Sequence, residues 1–373
     1  MIKFANELID LRSFQMLPIL FKAMQITGKS LKTAMQANRP IIFALIAFAC
    51  AMIFFSCNDK KVAVNALIAT ENQPNTAVVS RNLPPGTWKA PDSTAIPAGK
   101  AGDMIRYGKD LLTHTARYFG PKGSIAQISN GMNCQNCHID GGSRLFGDNY
   151  SVFMATYPKW SDRGGNLQPA TGRIRDCFNR SLAGQSPDTN GYEVRAMLAY
   201  MKWIGAGVKK GQKLFGTSTE KLEYMARAAD PVKGKIVFIS KCKVCHGANG
   251  EGLLAADKRS YTYPPLWGEH SYNDGAGMYR IGNLAGFVKN NMPFGATYQN
   301  PQLTDEQAWD VAAFVDSQPR PHYDQSKDWK DIKAKPIDFP FGPYADKFTE
   351  KQHKYGPYKP IKAARKDTGG KRA

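Results

Sequence analysis

Two short runs, Cys134-Gln-Asn-Cys137-His138 and Cys242-Lys-Val-Cys245-His246, place two thiols three residues apart with a histidine directly after the second. That spacing matches the two vinyl groups of one haem, to which the thiols add as thioethers, and the adjacent histidine reaches the iron from the proximal side. A zinc site would want two close CxxC pairs or added histidines, and a dithiol redox centre has no need of the histidine. The chain therefore predicts two covalently bound haems c, attached through Cys134/Cys137 and Cys242/Cys245, with His138 and His246 as axial iron ligands.

What fills the sixth position of each iron separates an electron carrier from an enzyme. In the second block, Met292 stands in the run Asn291-Met-Pro-Phe-Gly295, 46 residues after His246 and ahead of a helix. Thr304 with Gln307 makes a capping box for that helix, and Ala308, Val311, Ala312 and Val315 follow at helical spacing. A Met in a Pro-containing loop before the last helix resembles the distal ligand of small class I cytochromes c, with Met278 as its competitor. The first block has a similar layout: Val194, Met197, Leu198 and Met201 mark its last helix, ending near Gly205. Met292 lies twelve residues before Thr304; twelve before Thr189, near the start of this earlier helix, lies Cys177.

A tally of thiols also singles out Cys177. Once an export signal is removed and Cys57 and the four haem cysteines are assigned, it has no partner for a disulfide. The competing readings are an inert buried thiol, or Met154, Met197 or His114 as the distal ligand. Around it stand Arg163, Arg173, Arg175 and Arg180, whose guanidinium forks suit tetrahedral oxyanions and whose charge favours a thiolate. A solvated basic face is the plainer alternative.

At these residues the chain resembles the dihaem thiosulfate dehydrogenases, also called tetrathionate reductases, of bacterial periplasms. The resemblance rests on GMNCQNCHIDGGSR, on Arg173-Ile-Arg-Asp-Cys177-Phe-Asn-Arg180-Ser181, on the second CxxCHG, on NMPFG and on the aromatic GPY tail, and it spans roughly residues 100–360. It implies that Cys177 ligates the first haem and takes part in catalysis, while Arg163, Arg173 and Ser181 hold the sulfur oxyanion. The implied reaction joins two thiosulfates into tetrathionate and releases two electrons through the second haem. Some members carry a lysine beside the distal Met that exchanges with it; here the neighbour is Asn291 and the nearest lysine Lys289. Two alternatives stay open: a plain dihaem electron carrier, and a Cys-ligated sulfur-oxidation cytochrome acting with a carrier protein.

The elements that must position these groups read as mainly α: two class I cytochrome c-like domains in tandem, over residues 101–215 and 216–318, followed by an irregular Pro/Gly/aromatic extension over 319–373. The runs FPFGPY and YGPYKP exclude regular helix or central strand there. Phe and Tyr at that density predict a segment wrapped over the body, with only the last residues, RKDTGGKRA, free. Residues 57–100 form a polar, Pro-rich tether with one docked stretch.

Upstream, Ile41–Phe55 is a fifteen-residue apolar run, short of the ~20 a spanning helix needs. It reads as the h-region of a signal peptide over residues 1–56, and FFSC followed by a polar stretch resembles a lipoprotein signal with Cys57 as the lipidated first residue; an uncleaved short anchor is the alternative. Residues 1–34 make an unusually long leading region, and Met35 a more ordinary start. The exported body, on the periplasmic side, would hold 44 basic against 29 acidic residues, a net +15. Outside the cytoplasm that charge points to anions, haem propionates or a redox partner, a small cytochrome or quinone-linked protein, and away from nucleic acid.

Overall fold

The computed structural model describes residues 80–367. The expected signal peptide, Cys57 and most of the expected tether lie outside the described residues. Along the chain run α1 (Gly99–Thr113), a hairpin of β1 (Lys159–Ser161) and β2 (Asn166–Gln168), α2 (Ala170–Asp176) and α3 (Tyr192–Ile204). There follow α4 (Pro231–Val237), a second hairpin of β3 (Leu253–Leu254) and β4 (Tyr261–Tyr263), α5 (Ile281–Asn291), α6 (Asp305–Asp316), α7 (Glu350–Tyr355) and α8 (Tyr358–Asp367). Both hairpins are antiparallel and two-stranded. Among the described residues no helix is long and apolar enough to cross a membrane.

Each haem-motif block is organised by a helix crossing. α1 packs on α3, and α4 on α6. At each crossing a glycine lets two backbones touch: a Cβ on Gly108 would sit 1.9 Å from the Ala196 carbonyl oxygen, and one on Gly234 would sit 1.8 Å from that of Asp310. The predicted stripe on α3 is realised, with Val194, Met197 and Met201 buried and Leu198 half-buried. The capping box of α6 is complete: Thr304 Oγ1 accepts from Gln307 N at 3.1 Å and Gln307 Oε1 from Thr304 N at 3.0 Å. α3, however, begins behind Gly191 rather than at Thr189, because Asp188–Gly191 closes a turn of its own, with Gly191 N donating to Asp188 O at 3.1 Å. The spacing from Cys177 to its helix is thus two residues longer than from Met292 to Thr304.

Both blocks also widen a helix at a cysteine. α2 continues into an i→i+5 turn over Cys177–Ser181, and α4 into one over Phe238–Cys242. Such π turns are rare and concentrate at functional sites.

The stretch before α1 is docked: Arg81 donates to Tyr298 O, Glu220 and Asn290 at 2.7–2.9 Å and stacks 3.9 Å from the Tyr298 ring. The C-terminal extension buries Trp329, Phe339, Tyr358 and Ile361. Its end departs from the sequence expectation. Only Gly356-Pro357 interrupts helix in YGPYKP; Pro360 sits in the first turn of α8, where its missing N–H removes no helical bond, and the helix runs through Arg365 to Asp367. Arg365 is held by Asp346 at 3.0 Å and the Lys335 carbonyl at 2.6 Å.

Candidate active site

The first haem motif opens with a single helical turn, Cys134–Asn136, capped reciprocally by Asn133 and Asn136. Thr115 fixes Cys134 from both sides, accepting from its N–H at 3.0 Å and donating to Sγ at 3.2 Å. His138 stacks on Tyr150, ring centroids 4.6 Å apart, and its Nδ1 lies 2.5 Å from the Asp148 carbonyl. A carbonyl only accepts, so the proton is on Nδ1 and Nε2 keeps its lone pair for a metal.

Cys134, Cys137 and His138 line a cavity of about 340 Å³. Arg173, Cys177 and Ser181 line the same cavity, spaced i, i+4, i+8 along α2 and its wide turn, so one helical stripe delivers all three to the same space. Two free thiols, an imidazole nitrogen and a third sulfur in one cavity are the donors that a haem c with an axial cysteine would need. Among the described residues no group of three or more His, Cys, Asp or Glu could hold a bare metal ion. The residues present fit haem.

The three thiols of this cavity differ. Burial pushes Cys134 and Cys137 up to about 12. Burial acts the same way on Cys177, but the Arg173 guanidinium, with His138 beside it, outweighs it and holds this thiol below its ordinary value. Arg173 is in turn held charged, first by Cys177.

The other arginines are elsewhere. Arg175 is exposed beside Asp176 at 3.4 Å. Arg180 is buried, paired with Asp328 at 2.8 Å, donating to Gly275 O at 3.3 Å and lying 4.2 Å from the Tyr323 ring centroid. Arg163, in the turn of the β1–β2 hairpin, lines a neighbouring cavity and is absent from the wall of the thiol cavity.

In the second block, Cys242 closes the wide turn after α4, and buried His246 places Nδ1 2.8 Å from the Pro264 carbonyl, repeating the arrangement at His138. Met292 caps α5 and is half-buried. It packs on a cluster of Tyr272, Ala276, Met278, Tyr279 and Phe287 that Cys137 and Ile139 of the first block also touch. Its competitor Met278 lines the first cavity, as does Met197. Met154 packs on the first block's core, and His114 is exposed and bonded to Asp110 at 2.7 Å. Lys289 is committed to Leu303 O at 2.6 Å and Asp305 at 2.8 Å, while Asn291 donates to Phe146 O at 3.1 Å.

The second block also reaches into the first cavity, through Ser218, Lys221, Met278 and Asn283; Lys221 Nζ donates to Asn283 Oδ1 at 2.9 Å. Nothing in the sequence singles these residues out. They sit outside any motif, and only the packing of the two blocks brings them there.

The cytochrome c family matches residues 231–319. A thiosulfate dehydrogenase of Psychrobacter arcticus is 35% identical over 246 residues, covering 65% of this chain and 72% of the relative. One from Allochromatium vinosum is 38% identical over 239 residues, 63% of this chain and 85% of the relative. Among solved structures, the thiosulfate dehydrogenase TsdBA from Marichromatium purpuratum, in its as-isolated form, aligns with a TM-score of 0.58 at 33% identity over 63% of this chain. The present chain spans 50% of that longer one.

Proposed function

The chain belongs to the thiosulfate dehydrogenase family of c-type cytochromes, oxidoreductases acting on sulfur compounds, and from that premise we propose that it interconverts two thiosulfates and tetrathionate at the Cys177 thiol. The observation that carries this reading is the stripe Arg173–Cys177–Ser181 lining one cavity with His138 and the thiols of the first haem motif.

His138 and Cys177 would hold the first iron, His246 and Met292 the second. The two haems, when bound, take up one electron each. Arg173 and Ser181 hold the sulfonate end of one thiosulfate, so that its outer sulfur meets the Cys177 thiolate. A sulfur–sulfur bond forms between Cys177 thiolate and that outer sulfur with loss of two electrons, leaving Cys–S–S–SO₃⁻. The outer sulfur of a second thiosulfate then attacks the outer sulfur of the adduct, and Cys177 leaves as thiolate while tetrathionate departs. Electrons and charge balance, and no proton moves, so the site needs no general base. Arg173 offsets the repulsion between two dianions. The reverse direction uses the same groups.

In this reading the body lies on the periplasmic side, held to a membrane by lipid on Cys57, and passes electrons to a small cytochrome or quinone-linked partner. The test is direct. The purified protein should show two haems by pyridine haemochrome and form one tetrathionate per two thiosulfates with an artificial acceptor. Absence of turnover in both directions would refute the proposal.

A further inference from the structure

Besides Arg173, two lysines line the thiol cavity, and their circumstances differ. Lys221, from the second block, is committed. Its Nζ donates to Asn283 at 2.9 Å, and burial, then the charge of Arg280, lowers the ammonium while Asp338 and Asp148 act in its favour. Lys159, at the start of β1, both lines the cavity and is exposed, so it stands where the cavity meets solvent. Among the described residues its Nζ has no carboxylate within ion-pair distance and no hydrogen-bond acceptor. It lies 5.4 Å from the ring centroid of Tyr157, another residue of the cavity wall, whose hydroxyl is likewise without a partner there.

The local structure ties this pair to the helix that carries the thiol. Lys159 is paired with Gln168 across the β1–β2 hairpin, buried Gln168 donates from Nε2 to Asp176 at 2.6 Å, and Asp176 directly precedes Cys177. Only Pro169 separates β2 from α2. Burial raises the Tyr157 hydroxyl above its ordinary value; next in weight are the charges of Arg173, which opposes that rise, and of Cys177, which adds to it. Burial, then the charge of Arg173, lowers the Lys159 ammonium. Both side chains thus lie within electrostatic reach of Arg173, and an anion bound among them relieves the repulsion between the two cations.

The second half of the reaction needs such a place. The outer sulfur of a second thiosulfate bonds to the outer sulfur of the Cys177 adduct, the bond from that sulfur to Cys177 Sγ breaks, and Sγ keeps the electron pair. Displacement at divalent sulfur runs in line, so the incoming sulfur arrives from the side away from Sγ and its own sulfonate lies further from α2 than the first. A cation and a hydrogen-bond donor on another element of the same cavity suit that sulfonate. We propose that Lys159 and Tyr157 hold the sulfonate of the second thiosulfate, while Arg173 and Ser181 hold the first. This rests on the function proposed above and deepens it. A haem propionate would offer Lys159 the same oxyanion chemistry from another source, and the readouts below separate the two.

The test uses the holoenzyme with Lys159→Met, Lys159→Arg and Tyr157→Phe. Three readouts are taken: the thiosulfate dependence of tetrathionate formation, the adduct formed on Cys177 after rapid mixing with thiosulfate and acid quenching, and the midpoint potential of the first haem. Lys159→Met should need about five- to thirty-fold more thiosulfate for half-maximal turnover, with adduct formation and first-haem potential as in the parent. Tyr157→Phe should shift the same way by about two- to five-fold, and Lys159→Arg should recover most of the parent's affinity. An unchanged thiosulfate dependence in Lys159→Met would overturn the subsite. Equal losses in adduct formation and turnover would also overturn it, by placing Lys159 at the first thiosulfate, as would a shifted first-haem potential with unchanged thiosulfate dependence, by placing it on a propionate. If the parent itself forms no tetrathionate, the underlying function fails instead.

Discussion

In both blocks a glycine-mediated helix crossing supports the haem motif, a proximal histidine is oriented by a carbonyl on its Nδ1, and a wide helical turn carries a cysteine. They part at the segment before the last helix. In the second block α5 ends on Met292, a thioether without charge, in apolar surroundings. In the first, α2 brings a thiol with an arginine one turn before it and a hydroxyl one turn after it. Replacing one sulfur by another on the same scaffold turns a site that stabilises ferrous iron into one that ionises, gathers anions and can bond to sulfur. The proposed division, chemistry in the first block and relay in the second, rests on that exchange, and the fold is common to both.

The largest effect that would sharpen this contrast is on Cys177. Cys177→Ala should lower thiosulfate turnover by about 10³-fold or more, keep both haems by haemochrome assay and leave the second haem's spectrum untouched; near-native turnover would dissolve the distinction between the blocks. Arg173→Ala should cost about 10- to 150-fold in kcat/KM. Without Arg173 the thiol also loses what favours its ionised form, so the pH midpoint of adduct formation should move to the alkaline side of the parent's. Met292→Ala should act on the other block: the thioether-to-iron band at the red edge of the spectrum should vanish and electron exit slow, while adduct formation on Cys177 is retained. Survival of the band would shift the assignment to another residue. The smallest change tests what the blocks share. Gly108→Ala and Gly234→Ala should each destabilise by about 2–3 kcal/mol, read as a fall in Tm of the holoprotein, and a neutral result at either would mean that the two crossings are not equivalent.

The haem motifs and the α6 capping box were legible because they are local: a spacing of three residues, a Thr–Gln pair one turn apart. Cys177 was legible by elimination, and the structure adds that Arg173 and Ser181 share its helical stripe. Arg163 was not separable from Arg173 by sequence, since Arg163 sits in a hairpin turn and sequence distance says nothing of which side of α2 a loop residue reaches. Lys221 and Asn283 were invisible for the same reason, meeting the thiol cavity only through long-range packing. Prolines misled at the C-terminus, where Pro360 sits in the first turn of a helix that the composition excluded.

The central claim is that Cys177 forms the sulfur–sulfur bond. Thiosulfate added to the oxidised holoprotein, followed by acid quenching and peptide mass analysis, tests it directly. The account predicts a mass increase of one thiosulfate on the peptide containing Cys177, removed by dithiothreitol and absent in Cys177→Ala. Full turnover with that peptide unmodified at every quench time would contradict it.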